Sequence, residues 1–72
     1  MRILIGFHET IFEIQIESTQ PMYNSLVIPL RTKYDINIDS YFLTYHNIIL
    51  DVNKTCDDYG VKPDDLIMLV KH

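Results

Sequence analysis

The pattern of hydrophobic and polar positions predicts two β-strands at the start of the chain. Residues 2–7 alternate weakly but are rich in strand-forming side chains. Residues 11–17 alternate strictly, with Phe12, Ile14 and Ile16 on one side and polar side chains on the other. A period of two residues is typical of a half-buried strand. We therefore expect a hairpin whose connection is formed by the three residues between the two runs.

A helical pattern follows the hairpin. Ser18 or Thr19 can cap the free N–H groups of a helix start, and proline is tolerated in the first turn. Pro29 interrupts the pattern, and an interior proline costs about 3 kcal/mol or more because it removes a hydrogen bond and clashes with the preceding turn. We expect a kinked helix over residues 20–33, with an end near Ile28 as the alternative. Its apolar stripe comprises Met22, Leu26 and Leu30.

The second half of the chain predicts three more strands. Residues 35–40 form a polar connection, residues 41–45 a strand, and His46 and Asn47 the turn that leads to a short edge strand over residues 48–50. The last strand covers residues 66–70.

A capped turn precedes the last strand. Thr55 and Asp58 are spaced to cap each other reciprocally, and Gly60 is suited to a left-handed helix end. Together these patterns predict a hydrophobic core made of Ile3, Ile5, Phe12, Ile14, Ile16, Leu26, Leu30, Leu43, Leu50, Ile67 and Leu69.

Length and composition restrict the class of protein. A chain of 72 residues that is 47% hydrophobic forms one small globular domain and not a disordered segment. Cys56 is the only cysteine, so no internal disulfide can form, and a free thiol fits a reducing compartment such as the cytoplasm or nucleus. The start of the chain lacks the pattern of a signal peptide, and no apolar run approaches the roughly 20 residues that span a bilayer. We expect no membrane association.

The charge balance argues against nucleic-acid binding. The net charge is −4, whereas non-specific nucleic-acid binding requires a basic face that replaces counterions. Four of the acidic residues lie close together in sequence: Asp57, Asp58, Asp64 and Asp65. They form either a solvated turn region or a docking surface for a basic partner.

The residues that could carry chemistry are few and scattered. His8, His46 and His72 do not have the spacing of metal ligands, and the chain has only two glycines, so a phosphate-binding loop is absent. The two aspartates that follow Cys56 disfavour its thiolate, which makes the thiol inert. We predict that the chain is not an enzyme and binds no metal or cofactor.

The order of elements resembles that of ubiquitin and ubiquitin-like domains over essentially the whole chain. The resemblance implies an α+β, β-grasp fold for a single domain over residues 1–72, with one helix packed across a mixed sheet of four to five strands. It also implies that the hydroxyl of Tyr59 is buried and bonded to the backbone near Asp51. The most specific matches are Leu43, Tyr45, Leu50, Thr55, Asp58, Tyr59 and Leu69.

One subgroup of the family shows a closer resemblance to this chain. Residues 45–55 and 60–66 resemble the N-terminal ubiquitin-like domain of DNA-damage-inducible shuttle proteins, which join it to an aspartic-protease domain. The Asp-Thr/Ser-Gly motif of that protease is absent here. Conjugated relatives end in Gly-Gly, whereas this chain ends in Lys71 and His72, so we expect a domain of a longer protein that is not itself conjugated.

The resemblance also implies a binding surface on the outer face of the sheet. Alternation in the last strand would expose Leu66, Met68 and Val70, unless that strand is central and covered on both sides. The expected partners of this monomeric domain are a proteasomal receptor subunit, ubiquitin or a ubiquitin-binding protein. The alternative is a scaffold or regulatory module that docks a basic protein or a neighbouring catalytic domain. The predicted partner-binding residues are His8, Phe42, Thr44, Asn47, Met68 and Val70.

Overall fold

Five strands and one long helix account for most of the chain. The computed structural model describes all 72 residues. None of its helices is long and apolar enough to cross a membrane. In chain order the elements are β1 (Arg2–Phe7), β2 (Thr10–Gln15), α1 (Met22–Tyr34), a 3-10 turn (Ile38–Ser40), β3 (Tyr41–Tyr45), β4 (Ile48–Leu50), α2 (Cys56–Tyr59) and β5 (Leu66–Lys71).

The strands form one mixed sheet in the order β2-β1-β5-β3-β4. Two antiparallel hairpins, β1 with β2 and β3 with β4, lie on either side of β5. The last strand pairs parallel to β1 and antiparallel to β3, and therefore joins the two halves of the sheet. With α1 packed across one face, this is the β-grasp arrangement that the sequence predicts.

The core lies between α1 and the inner face of the sheet. Ten of the eleven residues that the strand and helix patterns assign to the core are buried. The exception is Phe12, which is only half-buried because β2 is an edge strand. Its ring stacks on Tyr34 of the helix instead, with the ring centres 3.8 Å apart.

Some core residues come from segments that the pattern does not assign to the core. Residues 35–40, predicted to be a polar connection, contribute buried Ile36 and Ile38. The reason is the helix end: Asp35 adopts a left-handed conformation with φ 54°, and the N–H of Ile36 donates to the carbonyl of Leu30. This turn directs the chain back onto the core. The other additional members are Cys56 and Val61, together with Met22 from the predicted apolar stripe of the helix.

The start of α1 differs from the prediction. Pro21 occupies the N-cap, and no side chain, including those of Ser18 and Thr19, caps the helix. The free N–H groups of Met22 and Tyr23 donate instead to backbone carbonyls of the segment between β4 and α2. The helix also continues through Pro29 to Tyr34, so the alternative of an end near residue 28 is wrong.

Both hairpins have tight turns. The first consists of two residues, His8 and Glu9, because Thr10 already pairs with Phe7. In the second, His46 and Asn47 have φ values of 50° and 65°. Two successive positive φ angles are typical of the turns whose twist matches that of the strands. The second turn and the strands on either side of it have the bounds that the sequence predicts.

Candidate interaction surface on the outer face

The face of the sheet opposite α1 is rich in exposed apolar side chains. Paired residues on neighbouring strands share a face, so the register identifies the side chains that point away from the core. Six of the nine large exposed hydrophobic residues lie on this side. We call these six the outer patch: Ile11, Phe42, Ile49, Leu66, Met68 and Val70.

One row of residues crosses all five strands through the middle of the outer patch. Met68 pairs with Gly6 on one side and with Thr44 on the other. Gly6 in turn pairs with Ile11, and Thr44 pairs with Ile49. The row therefore runs from one edge of the sheet to the other and contains one polar side chain.

A glycine lets Met68 lie flat across the sheet. A Cβ atom added to Gly6 would lie 2.4 Å from the Sδ atom of Met68 and 3.5 Å from a methyl group of Leu66. The methionine side chain thus occupies the space that any other residue at position 6 would fill. The absence of a side chain on β1 makes the centre of the face a shallow platform.

An aromatic cluster forms one end of the face. Phe42 and Val70 are direct cross-strand neighbours. The ring of His72 stacks on that of Phe42 with the centres 4.0 Å apart, and its backbone N–H donates to the carbonyl of Ser40. Phe42 is therefore held in place by contacts on the surface and not by the core.

All six predicted site residues lie on this face or at its rim. Phe42, Thr44, Met68 and Val70 belong to the paired strands. Asn47 lines a shallow depression of about 310 Å³ together with Thr44 and Met68. His8 lies in the exposed first turn, level with Val70 when the register of β1 and β5 is continued.

Burial along β5 decides between the two interpretations of its apolar run. Ile67 and Leu69 are 0% and 6% exposed, whereas Leu66, Met68 and Val70 are 39%, 37% and 48% exposed. The strand is therefore covered on one side only. The interpretation of a central strand buried on both sides is wrong.

Sequence reasoning missed two members of the outer patch. Ile11 stands on the otherwise polar side of β2, and Ile49 lies in a strand of three apolar residues whose pattern does not assign a face. Their cross-strand partners do, because Ile11 pairs with Gly6 and Ile49 pairs with Thr44. Register depends on contacts between distant segments and cannot be read from a local pattern.

Three of the four clustered aspartates have structural partners. Asp58 and Thr55 form the predicted capping box, with bonds of 3.0 and 3.1 Å. Asp64 pairs with Arg2 at 2.7 Å. Asp65 accepts hydrogen bonds from the hydroxyl of Tyr45 at 2.5 Å and from a backbone N–H at 2.9 Å.

These contacts change the acidity of the groups involved. The hydroxyl of Tyr45 and the N–H of Lys62 lower the pKa of Asp65, and the same carboxylate raises the pKa of Tyr45. Hydrogen bonds from Thr55 lower the pKa of Asp58. The acidic turns thus stabilise the loops that support β5, which favours their interpretation as structural elements.

The hydroxyl of Tyr59 accepts a hydrogen bond of 2.9 Å from the N–H of Asp51, as predicted. The side chain is half-buried and not fully enclosed, because the loop that it supports is exposed on its other side. The predicted bonding partner of the hydroxyl is therefore confirmed, whereas the Tyr59 residue as a whole is only half-buried.

Cys56 is fully buried, and burial raises the pKa of its thiol to about 11, with a smaller contribution from Asp57. The direction agrees with the prediction, but the main cause is burial and not charge. No group of three or more His, Cys, Asp or Glu side chains is placed to hold a metal ion. Comparison of the sequence with protein-family models and with curated proteins finds no match.

Proposed function

We propose that this chain is a non-enzymatic ubiquitin-like domain that binds other proteins through the outer patch. The observation that carries the proposal is the concentration of exposed apolar side chains on one face of the sheet, where they make no contribution to the core. Contiguous apolar surface of this kind marks interaction sites on soluble proteins.

The composition of the outer patch suits protein recognition. Phe42 is an aromatic anchor, and such residues often dominate the binding energy of an interface. Met68 is unbranched and polarisable, so it can adapt to partners of different shape. Asn47 adds a hydrogen-bonding group at the rim, where interfaces are usually polar, and Thr44 adds a hydroxyl within the outer patch.

The partners follow from the family resemblance and remain part of the proposal. A proteasomal receptor subunit, ubiquitin or a ubiquitin-binding protein would dock on this face, in the cytoplasm or nucleus. The proposal is supported by positions that match the family and have defined structural roles in the fold. They include Thr55 and Asp58, which form the capping box, and Tyr59, whose hydroxyl is bonded to Asp51. These residues stabilise the fold on which the outer patch lies.

The test is a titration of the isotope-labelled protein with ubiquitin and, separately, with a proteasomal receptor fragment, followed by NMR. We expect shift changes centred on Phe42, Met68 and Val70. The variants Met68→Ser and Val70→Ser should weaken binding roughly tenfold, since each removes apolar surface from the contact. Ile28→Ser is the matched control, because Ile28 is also apolar and even more exposed but lies on α1.

Two outcomes would contradict the proposal. Shift changes confined to Asp57, Asp58, Asp64 and Asp65 would favour docking of a basic partner on the acidic turns. Equal loss of affinity in Ile28→Ser and Met68→Ser would show that the loss is not specific to the outer patch.

A further inference from the structure

A pocket of about 310 Å³ lies at the edge of the sheet, beside the start of β3. β4 pairs with only three residues of β3, so Tyr41 and Phe42 have no strand on that side. Beyond β4 the chain turns toward the start of α1, where the N–H of Tyr23 donates to the carbonyl of Val52. We call the space between β3 and this segment the edge pocket.

The interior of the edge pocket is apolar and aromatic. Ile38, Leu43 and Leu50 line it and are buried members of the core. Tyr23 and Tyr41, which are both half-buried, contribute aromatic side chains. Such a lining suits the methylene stem of a long side chain that carries its charge at the tip.

The charged residues of the edge pocket are acidic. Asp39 and Asp51 line it, and no lysine or arginine does. Neither carboxylate forms an ion pair, because both salt bridges of the protein involve Arg2. Lys71 lies at the end of β5 but also forms no ion pair, and the remaining polar lining residue is His72. Two carboxylates are thus left without a cation beside an apolar interior.

The edge pocket also offers free hydrogen-bond acceptors. The carboxylate of Asp39 accepts no hydrogen bond within the protein, and that of Asp51 accepts one, from a backbone N–H. The last residue of the chain donates to the carbonyl just before β3, and bonded pairs alternate along an antiparallel ladder. The carbonyl of Tyr41 therefore points away from β5, toward the pocket. Val52, which would face Tyr41 if β4 continued, does not donate to it.

The edge pocket is continuous with the outer patch. Phe42 and Ile49 line the pocket and also belong to the outer patch. His72 lines the pocket too, and its ring stacks on Phe42. A protein that covers the outer patch therefore reaches the edge pocket without a break in the contact surface.

We propose that the edge pocket receives an arginine side chain of the protein that covers the outer patch. This inference rests on the proposed function, because it describes the same partner. The guanidinium would donate to Asp39, Asp51 and the carbonyl of Tyr41, while its stem packs on the apolar interior. Arginine suits the site better than lysine, since a guanidinium has five donors, stacks on aromatic rings and is weakly hydrated. Arginine is also one of the residues that contribute most to binding at protein interfaces.

A second copy of this chain fits the edge pocket less well. Its free arginine is Arg31, because Arg2 is already paired with two carboxylates. Arg31 lies on α1, and its exposed neighbours there include Thr32, Lys33 and Asp35. A polar helix surface of this kind would not cover the apolar outer patch beside the pocket. The composition of the two surfaces therefore favours a different protein over self-association.

The first test uses a blocked tripeptide, leucine-arginine-leucine, titrated into the isotope-labelled protein and followed by NMR. We expect shift changes at Tyr23, Tyr41 and Asp51. A tripeptide with citrulline in place of arginine has nearly the same shape but no charge, and should bind roughly tenfold more weakly. A tripeptide with lysine should bind roughly threefold more weakly, because an ammonium group is more strongly hydrated and does not stack.

Substitutions in the protein identify the carboxylates. Asp39→Asn and Asp51→Asn should each weaken binding of the arginine peptide about two- to fivefold, the range expected for exposed ion pairs, and should leave the citrulline peptide unaffected. Asparagine at position 51 retains the acceptor for the local backbone N–H. Asp57→Asn is the matched control, because Asp57 is exposed and forms no ion pair but does not line the edge pocket.

The second test applies Asp39→Asn and Asp51→Asn to the titrations with ubiquitin and with the proteasomal receptor fragment. Whichever protein binds through Met68 should bind both variants about two- to fivefold more weakly. Unchanged affinity would overturn the proposal, as would equal binding of the citrulline or lysine tripeptide, or an equal loss in Asp57→Asn. A dimer of the free protein that Arg31→Gln dissociates would overturn it in favour of a second copy.

The two tests keep this inference separate from the proposed function. The tripeptide is too small to cover the outer patch, so Met68→Ser should bind it normally. Failure of the tripeptide, with protein binding that still depends on Met68, would overturn the edge pocket alone. Protein binding that is insensitive to Met68→Ser would overturn the proposed function, whatever the tripeptide does.

Discussion

The substitution Gly6→Ala should alter the outer face without unfolding the protein. The added methyl group would lie 2.4 Å from the Sδ atom of Met68, closer than any real contact, so the methionine must move by about 1 Å or more. Met68 can do so at low cost, because its side chain is unbranched and already 37% exposed. Gly6 does not have a positive φ, so alanine introduces no backbone strain.

Two opposing contributions determine how much Gly6→Ala changes the free energy of unfolding. Replacing glycine with alanine in a strand stabilises by roughly 0.5–1 kcal/mol, because glycine loses more conformational freedom on folding. Moving Met68 exposes part of its apolar surface and costs a similar amount. We therefore expect the free energy of unfolding to change by less than about 1 kcal/mol, which corresponds to about 4–8 °C or less in Tm for a domain of this size.

The matched control is Ile5→Ala, the neighbouring position on the same strand. Ile5 is fully buried and faces the helix, so this truncation should cost about 2–5 kcal/mol. Urea denaturation followed by circular dichroism compares the two variants, and the NMR signal of the Met68 methyl group reports the displacement. A loss in Gly6→Ala as large as that in Ile5→Ala would refute the reasoning, as would an unchanged Met68 signal.

Three further predictions concern the core and the loops. Leu43→Ala, at a residue that is 1% exposed, should cost about 2–5 kcal/mol in urea denaturation. Tyr59→Phe should cost about 0.5–1.5 kcal/mol and accelerate amide exchange at Asp51, and unchanged exchange there would contradict the bond. Because the folded pKa values of Asp58 and Asp65 are lowered, their stabilisation is present above about pH 3.9 and is lost as the pH falls through those values. Asp58→Asn and Asp65→Asn should each reduce the pH dependence of the unfolding free energy in this acid range, and an unchanged dependence in both variants would exclude the mechanism.

Local patterns were sufficient to predict most of the fold. The alternation in β2, the spacing of Thr55 and Asp58, and the glycine after α2 each depend on residues that are close in sequence. The cap of α1 could not be predicted in this way. The N–H groups of Met22 and Tyr23 are satisfied by carbonyls about 30 residues away, so the local serine and threonine are not needed.

For the same reason, only part of the outer patch could be predicted from the sequence. Phe42, Met68 and Val70 follow from alternation within single strands, together with the family resemblance. Ile11 and Ile49 depend on the register of two hairpins, and the position of Met68 over Gly6 depends on the parallel pairing of β1 and β5. Contacts between residues so far apart in sequence are fixed only when the sheet forms.

The two faces of the sheet have separate roles, and this separation is the reason to associate the outer patch with function. Every residue of the core cluster lies on the helix side or in the loops that close it, and the polar contacts that order the loops lie at the ends of the strands. The fold is therefore complete without Phe42, Met68 or Val70. Exposed apolar groups that add nothing to folding carry a risk of aggregation. Their concentration on a single face is accounted for if a partner protein covers that face.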